Sequence, residues 1–97
     1  MPNILLKPEA EKDLAKIFEH TFYNWGLKQA EKYQDQLFYG MQQLAKQEYI
    51  GKIYPFSSQQ YRKLHVNRHL IFNRIEGKNC IIVRILHDKM QPNNYLK

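Results

Sequence analysis

Residues 79–87 read Asn-Cys-Ile-Ile-Val-Arg-Ile-Leu-His, and they decide the fold because apolar side chains fill both faces of this extended stretch. In a strand, successive side chains point to opposite faces of the sheet. The apolar residues therefore alternate, with Ile81, Val83 and Ile85 on one face and Cys80, Ile82 and Leu86 on the other. A strand with two apolar faces is normally covered on both. We predict that this strand lies in the interior of a sheet.

Two further extended segments precede this strand, at residues 61–66 and 68–75. Asn67 makes the first turn, and Gly77-Lys78 is a two-residue loop of the Gly-X hairpin type. The pattern predicts a three-stranded antiparallel meander. Residues 49–60 combine Gly, Pro, Ser and aromatic residues without periodicity and are predicted to form a connecting loop. The tail from residue 88 to residue 97 is predicted to be irregular or a single turn.

The first half of the chain is predicted to be a short strand followed by two helices. Residues 3–7 form the strand, and Pro8 suits the first turn of a helix whose early acidic residues favour the helix dipole. Apolar residues then recur with a period of 3.6 as far as Gly26, and a second periodic set extends over residues 27–47. So short a link predicts an antiparallel helical hairpin. Gly40 interrupts the second helix, either because the two helices approach closely there or because a glycine is tolerated.

These elements predict an α+β fold in which residues 1–97 form a single domain, with one sheet and helices on one face. One hairpin can cover only one face of a sheet. We therefore expect the other face to keep exposed apolar area around Arg84, which a partner would cover. The alternative is that loop 49–60 folds over that face with its large apolar residues, which are Tyr49, Ile50, Ile53, Tyr54 and Phe56.

Composition excludes several classes of protein. No apolar stretch approaches the roughly 20 residues of a membrane helix, and no signal peptide is apparent, so we expect a cytoplasmic protein. The single cysteine, Cys80, excludes an internal disulfide and a multi-cysteine zinc site. No P-loop or dinucleotide fingerprint appears, and we expect no cofactor and no metal.

Charge divides the chain into two unequal halves. Residues 9–48 hold five Lys/Arg and seven Asp/Glu, a net of −2, whereas residues 49–97 hold nine Lys/Arg and two Asp/Glu, a net of +7. Such a basic half attracts anions in general, including nucleic acid, ribosomes and acidic protein segments. A sequence-nonspecific nucleic-acid binder is the least favoured of these readings.

Three strings of the sequence resemble the RelE/ParE superfamily of bacterial toxins, and most closely its ParE branch. They are LLKPEAEKDLAKIFEHT at residues 5–21, YNWGLKQAEKYQDQL at residues 23–37 and RKLHVNRHLIFNRIEGKNCIIVRILHDKMQP at residues 62–92. The last string is the most specific, because it is similar to the family's arginine-flanked strand pair that ends in a VLH-like triplet followed by a basic residue and Met. The resemblance covers nearly the whole chain and implies the same architecture.

The resemblance further implies the toxin of a type II toxin–antitoxin pair, neutralised by a ParD-like antitoxin whose acidic C-terminal segment folds on binding. In ParE-like members the target is DNA gyrase, which is inhibited by binding rather than by catalysis. The residues expected to contact the target surround the end of the last strand and are Arg68, Arg84, His87, Lys89 and Met90. Those expected to contact the antitoxin are Leu14, Phe18, Trp25, Ile82, Arg84 and Leu86.

The alternative function is that of RelE-like relatives, which are ribosome-dependent mRNA endonucleases. Cleavage at a ribose 2′-hydroxyl requires a base, an acid and cations that stabilise the phosphate charge. The candidates for these roles are Arg68, Arg84, His87, Lys89 and Tyr95. No convincing carboxylate base is present, since Glu76 lies in a hairpin turn and Glu48 lies at the end of the second helix.

Several of these residues also have purely structural interpretations. Arg84 could pair with Asp88 or Glu76, and His87 could be a hydrogen-bonded residue at the end of a strand. His65 and His69 flank the turn at Asn67 and could approach each other, but a third metal ligand is missing from the pattern.

Overall fold

The chain folds into two helices and a five-stranded sheet, in a computed structural model that describes residues 3–46, 51–56 and 59–96. None of the described helices is both long and apolar enough to cross a membrane. In chain order the elements are β1 Asn3–Leu6, α1 Pro8–Trp25, α2 Leu27–Lys46, β2 Lys52–Phe56, β3 Gln59–Val66, β4 His69–Glu76, β5 Asn79–His87 and a 3₁₀ turn at Pro92–Asn94.

The sheet has the strand order β1-β5-β4-β3-β2. The three strands β3, β4 and β5 form the predicted antiparallel meander, and β1 adds to β5 in parallel, with Leu5 beside Ile81. The prediction that the last strand lies in the interior of the sheet is therefore confirmed. The helix bounds are confirmed as well: α1 begins at Pro8, and Gly26, with φ of 93°, ends it by donating its N–H to the Phe22 carbonyl at 2.9 Å.

The prediction of a connecting loop at residues 49–60 is wrong over its central part. Residues 52–56 form the edge strand β2, which pairs with β3 so that Pro55 lies opposite Gln60. Proline cannot donate to a ladder, but an edge strand has a free side that does not need the donor. The Gly, Pro and Ser residues of this segment are typical of a loop, and for that reason the edge strand was not predicted.

A β-bulge in β5 changes which side chains share a face. Phe72 of β4 lies opposite Arg84 and Asn73 lies opposite Ile82, so Val83 is one residue in excess. An extra residue shifts the alternation that follows it. Cys80, Ile82 and Ile85 pack on the helix side, whereas Ile81, Val83 and Leu86 pack on the opposite side. The predicted division of the two faces, which assumed unbroken alternation, is wrong beyond Val83.

The helix face of the sheet carries the larger core. The buried residues of α1, α2, β4 and β5 form one cluster, which contains Ala10, Leu37, Met41, Leu44, Ala45, Ile71, Cys80, Ile82 and Ile85. Gly40 lies against this face, where an added Cβ would stand 3.0 Å from Val66 Cγ2 and 3.2 Å from Ile71 Cδ1. The close approach at Gly40 is thus between α2 and the sheet, not between the two helices.

The outer face of the sheet, opposite the helices, is covered by the chain's own C-terminal tail. Leu96 is 0% exposed and joins Tyr61, Phe72, Val83 and Leu86 in a second core. Met90 packs against the same cluster, and the Tyr54 hydroxyl donates to Asn93 Oδ1 at 2.7 Å. The expectation of an exposed apolar outer face is therefore wrong, because residues predicted to be an irregular tail close it.

The alternative reading of the outer face is correct in part. Tyr54 and Phe56 of β2 pack against the outer core, but as members of the sheet and not as a loop folded over it. Ile53 is largely exposed. Tyr49 and Ile50 lie outside the described residues.

Candidate functional site

Arg84, predicted to contact partners, is held by an ion pair inside the protein. Its Nε donates to Asp13 Oδ2 at 2.7 Å and its Nη2 donates to Asp13 Oδ1 at 2.9 Å. This is the two-pronged geometry that arginine and carboxylate favour. The side chains are 19% and 13% exposed. The predicted pairing of Arg84 with Asp88 or Glu76 is wrong; the partner is Asp13, on α1.

The same carboxylate completes the hydrogen bonding of β5. Strand β1 ends at Leu6, which lies beside Ile82 of β5. Ile85 lies past this end of β1, and its backbone N–H donates to Asp13 Oδ2 at 3.0 Å. The guanidinium lies over the Tyr95 ring at 5.3 Å, so Arg84 connects α1 with the C-terminal tail. The hydrogen bonds that Arg84 donates to Asp13 raise the pKa of Arg84 and keep it charged. Its charge is therefore largely neutralised within the fold.

Three other predicted residues converge where β5 ends, and we refer to Arg68, His87 and Lys89 as the basic corner. The Asp88 N–H donates to the Arg68 carbonyl at 2.8 Å, which places the turn before β4 beside the end of β5. The Lys89 N–H donates to Nδ1 of His87 at 3.2 Å. Arg68 and Lys89 are exposed and His87 is partly exposed, so this corner is accessible.

A second imidazole stands beside the basic corner. The rings of His69 and His87 meet edge to face, 5.4 Å apart, and Nδ1 of His69 lies 2.6 Å from the Tyr33 hydroxyl. Burial, followed by the neighbouring His87, lowers the pKa of His69 to about 4. His69 is therefore neutral at pH 7. Burial also raises the pKa of Tyr33.

His65 and His69 do not form a joint site. His65 Nε2 lies 3.4 Å from Asp88 Oδ2, whereas His69 turns to Tyr33. Asp88 also lies 3.2 Å from Nδ1 of His87, so its carboxylate stands between the two exposed rings. Among residues 3–46, 51–56 and 59–96, no group of three or more His, Cys, Asp or Glu side chains is placed to hold a metal ion.

The end of the helical hairpin presents an apolar surface, and we refer to Phe22, Tyr23, Trp25 and Leu27 as the hairpin tip. All four are exposed, Trp25 to 74%. Large apolar side chains clustered on a surface are typical of contact sites. Phe18, one turn before Phe22, is half-buried, and Leu14 packs against the helix-side core.

Two of the remaining predicted contact residues, Ile82 and Leu86, are not available to a partner. Ile82 is 0% exposed and Leu86 is 1% exposed, on opposite faces of β5, so their assignment to an antitoxin-binding surface is corrected. Met90 is half-buried against the outer core, and Tyr95 lies under Arg84. Of the five candidates for catalysis, Arg68, His87 and Lys89 converge, whereas Arg84 and Tyr95 form a separate group around Asp13.

Sequence reasoning missed two residues, Asp13 and Tyr33. Asp13 was interpreted only as an acid near the helix N-terminus, yet it lies between Ala10 and Ile17 on the stripe of α1 that faces the core. A carboxylate on a core-facing stripe indicates a buried cationic partner. Tyr33 belongs to the apolar periodic set of residues 27–47, and a tyrosine packed there needs a partner for its hydroxyl.

Comparisons with known proteins identify the family. Residues 4–92 match the family described as ParE toxin of type II toxin-antitoxin system, parDE. The chain belongs to the ParE toxin family. The ParE toxin relatives include Toxin ParE1 of Mycobacterium tuberculosis, 34% identical over 95% of each chain, and Toxin ParE1 of Caulobacter vibrioides, 28% identical over 94% of each.

Two solved structures share the ParE toxin fold seen here. One, described as a chromosomal ParDE TA system from P. aeruginosa, superposes with a TM-score of 0.77 at 22% identity and covers 90% of this chain and 96% of that one. The other, a conserved hypothetical protein from Helicobacter pylori, superposes with a TM-score of 0.53 at 17% identity, covering 90% and 94%. The resemblance to the ParE branch is confirmed.

Proposed function

We propose that this ParE toxin inhibits DNA gyrase by binding to it, without catalysis, and that a ParD-like antitoxin neutralises it through an acidic segment. Membership of the ParE toxin family supports the toxin role. The proposed target acts on the chromosome, so the proposal places the protein in the cytoplasm.

The observation that carries the binding mode is the engagement of Arg84 by Asp13. A nuclease needs its cations free to stabilise the phosphate of the transition state. Arg84 is neutralised and faces the outer side at Phe72, whereas His87 lies with His69 and Tyr33 towards the helices. The nuclease candidates are therefore divided between two places. This division favours an inhibitor that acts through its surface.

The basic corner is the proposed contact for gyrase. Arg68 and Lys89 are exposed cations on turns next to the end of β5, which lets them meet an acidic surface without desolvating the core. Met90 and Arg84 contribute to this surface indirectly, because Met90 fixes the turn against the outer core and Arg84 holds the tail.

The hairpin tip is the proposed contact for the antitoxin, with Trp25 as its main anchor. A disordered segment gains affinity by burying exposed aromatic side chains, and large aromatics dominate such interfaces. We expect the reading frame beside the gene to encode a small ribbon-helix-helix protein with an acidic tail. The outer face of the sheet is removed from this proposal, because Leu96 already covers it.

Supercoiling by purified gyrase in the presence of the purified chain tests the target. We expect inhibition by the native chain, and at least about tenfold weaker inhibition by the double variant Arg68→Ala, Lys89→Ala. The matched control is Arg74→Ala, which removes a cation of β4 that lies outside the basic corner and pairs with Glu76. Normal supercoiling, together with translation arrest and cleaved messages after induction in cells, would contradict the proposal and favour the RelE-like endonuclease.

Co-purification with the product of the neighbouring frame tests the antitoxin. Trp25→Ala should weaken the complex by roughly tenfold or more, as expected for an aromatic anchor. Ile53→Ala is the control, since it shortens an exposed apolar residue on the distant edge strand. Equal losses in both variants would show that the hairpin tip is not the contact.

A further inference from the structure

A cleft of about 870 Å³ opens between the helical hairpin and the ends of β4 and β5. Its basic and imidazole residues are Lys16 and His20 of α1, Arg68 of the turn, and His69 and His87 of the strands. The residues that line it, all within the described part of the chain, include no carboxylate. A concave site that concentrates donors and positive charge favours an anion.

The protein contacts of the two imidazoles decide which ring nitrogen can donate into the cleft. The Tyr33 hydroxyl lies 2.6 Å from Nδ1 of His69 and 3.2 Å from the Val66 carbonyl. The carbonyl can only accept, so the Tyr33 hydroxyl donates to Val66, and Nδ1 of neutral His69 carries the ring proton and donates to the Tyr33 oxygen. In His87, Nδ1 accepts from the Lys89 N–H and lies 3.2 Å from Asp88 Oδ1, so a neutral ring carries its proton on Nε2. Nε2 of His87 has no protein partner among the described residues, and its N–H is available to a ligand.

One end of the cleft is aromatic. Trp25, at the end of α1, is 74% exposed, and Tyr33 lines the same wall. Lys16 lies nine positions earlier on the helix, which corresponds to about 13 Å along its axis. The cleft thus has an indole at one end, a lysine at the other, and Arg68 and the two imidazoles on its opposite side.

We propose that this cleft binds a nucleoside polyphosphate, with the phosphates on Lys16, Arg68 and Nε2 of His87 and the base against Trp25. Arginine and lysine are the usual partners of phosphate oxygens, and an indole face stacks on any nucleobase. A single inorganic phosphate would leave Trp25 unused. The site does not depend on the toxin acting on gyrase: it shares Arg68 and His87 with the basic corner, but Lys16 and Trp25 lie outside that corner.

Titration of the purified full chain with ATP tests the proposal through fluorescence, because Trp25 is the single tryptophan of the chain. ATP should quench the indole emission saturably, and inorganic tripolyphosphate should compete with it at higher concentration. Adenosine alone should bind at least about tenfold more weakly than ATP. Titration with a single-stranded oligothymidine tests whether the cleft binds polymeric nucleic acid instead of a nucleotide.

Variants then assign the two ends of the cleft, with calorimetry as the readout where the tryptophan is removed. Lys16→Ala should weaken ATP roughly five- to tenfold, whereas Lys12→Ala, one turn earlier on α1 and outside the cleft, should leave binding unchanged. Trp25→Ala should weaken the binding of ATP but not the binding of tripolyphosphate. Both are surface substitutions, and circular dichroism confirms that the variants fold.

Several results would overturn the proposal. They are no saturable ATP binding, equal affinity for ATP and tripolyphosphate, equal losses in Lys16→Ala and Lys12→Ala, and tighter binding of the oligothymidine than of ATP. Because Lys16→Ala leaves the basic corner intact, it should still inhibit gyrase. The failure of this proposal and the failure of the proposed target are therefore distinguishable.

Discussion

The two faces of the sheet each bury a leucine completely, but the segments that cover them differ greatly in length. The helix face is covered by α1 and α2, which have 18 and 20 residues. The outer face is covered by residues 90–96 together with side chains of β2. Leu37 on one side and Leu96 on the other are both 0% exposed. The comparison shows that a short tail can replace a second helical layer on a narrow sheet.

The two covers differ in how they are attached. The helices are continuous with β1 and pack along several strands, whereas the tail depends on a few contacts, chiefly Leu96, the Tyr54–Asn93 hydrogen bond and the stacking of Tyr95 on Arg84. Few contacts give low local stability. We expect the helix cover to unfold only with the whole protein and the tail to open locally.

Truncation of the two leucines measures this difference. Leu37→Ala should lower the free energy of unfolding by about 4 kcal/mol, and Leu96→Ala should lower it by about 2 kcal/mol, because the tail can retract where the helix leaves a cavity. Urea denaturation gives both values, and Leu5→Ala, a half-exposed leucine of β1, serves as the control. Equal losses at the two leucines would contradict the view that the tail is a separate, weaker cover.

The Asp13–Arg84 pair connects α1, which covers the helix face, with the C-terminal tail, which covers the outer face. Removal of the Asp13 carboxylate should therefore weaken both covers. Asp13→Ala leaves the Arg84 guanidinium and the Ile85 N–H without their acceptor, and we expect a loss of about 3 kcal/mol. The matched control is Glu76→Ala, which breaks the Arg74–Glu76 pair at 2.8 Å, where Glu76 is 55% exposed. That change should cost at most about 1 kcal/mol. Similar losses in both variants would mean that the Asp13 pair has no special role.

His69 gives the helix side of the sheet a pH-dependent contribution to stability. Its pKa is about 4 in the folded protein and about 6.5 in an unfolded chain. Between these values the unfolded chain binds more protons, so stability rises with pH and falls as the pH is lowered from 6.5 towards 4. His69 is only partly buried, so we expect a loss of about 1 kcal/mol.

Denaturation of the native chain and two variants at pH 7 and pH 5 checks this expectation. His69→Gln should reduce the change in the free energy of unfolding between pH 7 and pH 5. His65→Gln, which replaces an exposed ring beside Asp88, is the control and should keep that change. The same slope in all three proteins would place the proton uptake elsewhere.

Arg68 should show the smallest effect on folding. Its side chain is exposed, and the hydrogen bond from the Asp88 N–H is to its backbone carbonyl, so Arg68→Ala should change the free energy of unfolding by less than about 0.5 kcal/mol. The contrast is Arg84→Ala, which should destabilise the fold because it removes the partner of Asp13. Thermal denaturation of both variants makes the comparison, and a large loss in Arg68→Ala would show that the basic corner is structural.

Periodicity alone was enough to predict most of the elements. The stripes of α1 and α2, Pro8 and Gly26 at the helix ends, and the Gly77-Lys78 hairpin loop are local signals, and the structure confirms each of them. The strand β2 was missed because Pro55 is compatible with an edge strand only once its neighbour is known. Of the candidate site, the accessible residues Arg68, His87 and Lys89 were predicted together because an antiparallel meander brings the turn before β4 beside the end of β5.

The chain's own pattern of apolar and turn residues determined the helical hairpin and the meander, because these depend on contacts between neighbours in sequence. It also determined the interior position of β5, because a strand with two apolar faces must be covered on both. Tertiary structure alone decided that Val83 is bulged, that Leu96 closes the outer face and that Asp13 holds Arg84. Asp13 and Arg84 are 71 residues apart, and the bulge needs the register of two paired strands. Such relations arise only when distant segments pack, since no local propensity encodes which remote group will satisfy a charge or cover a face.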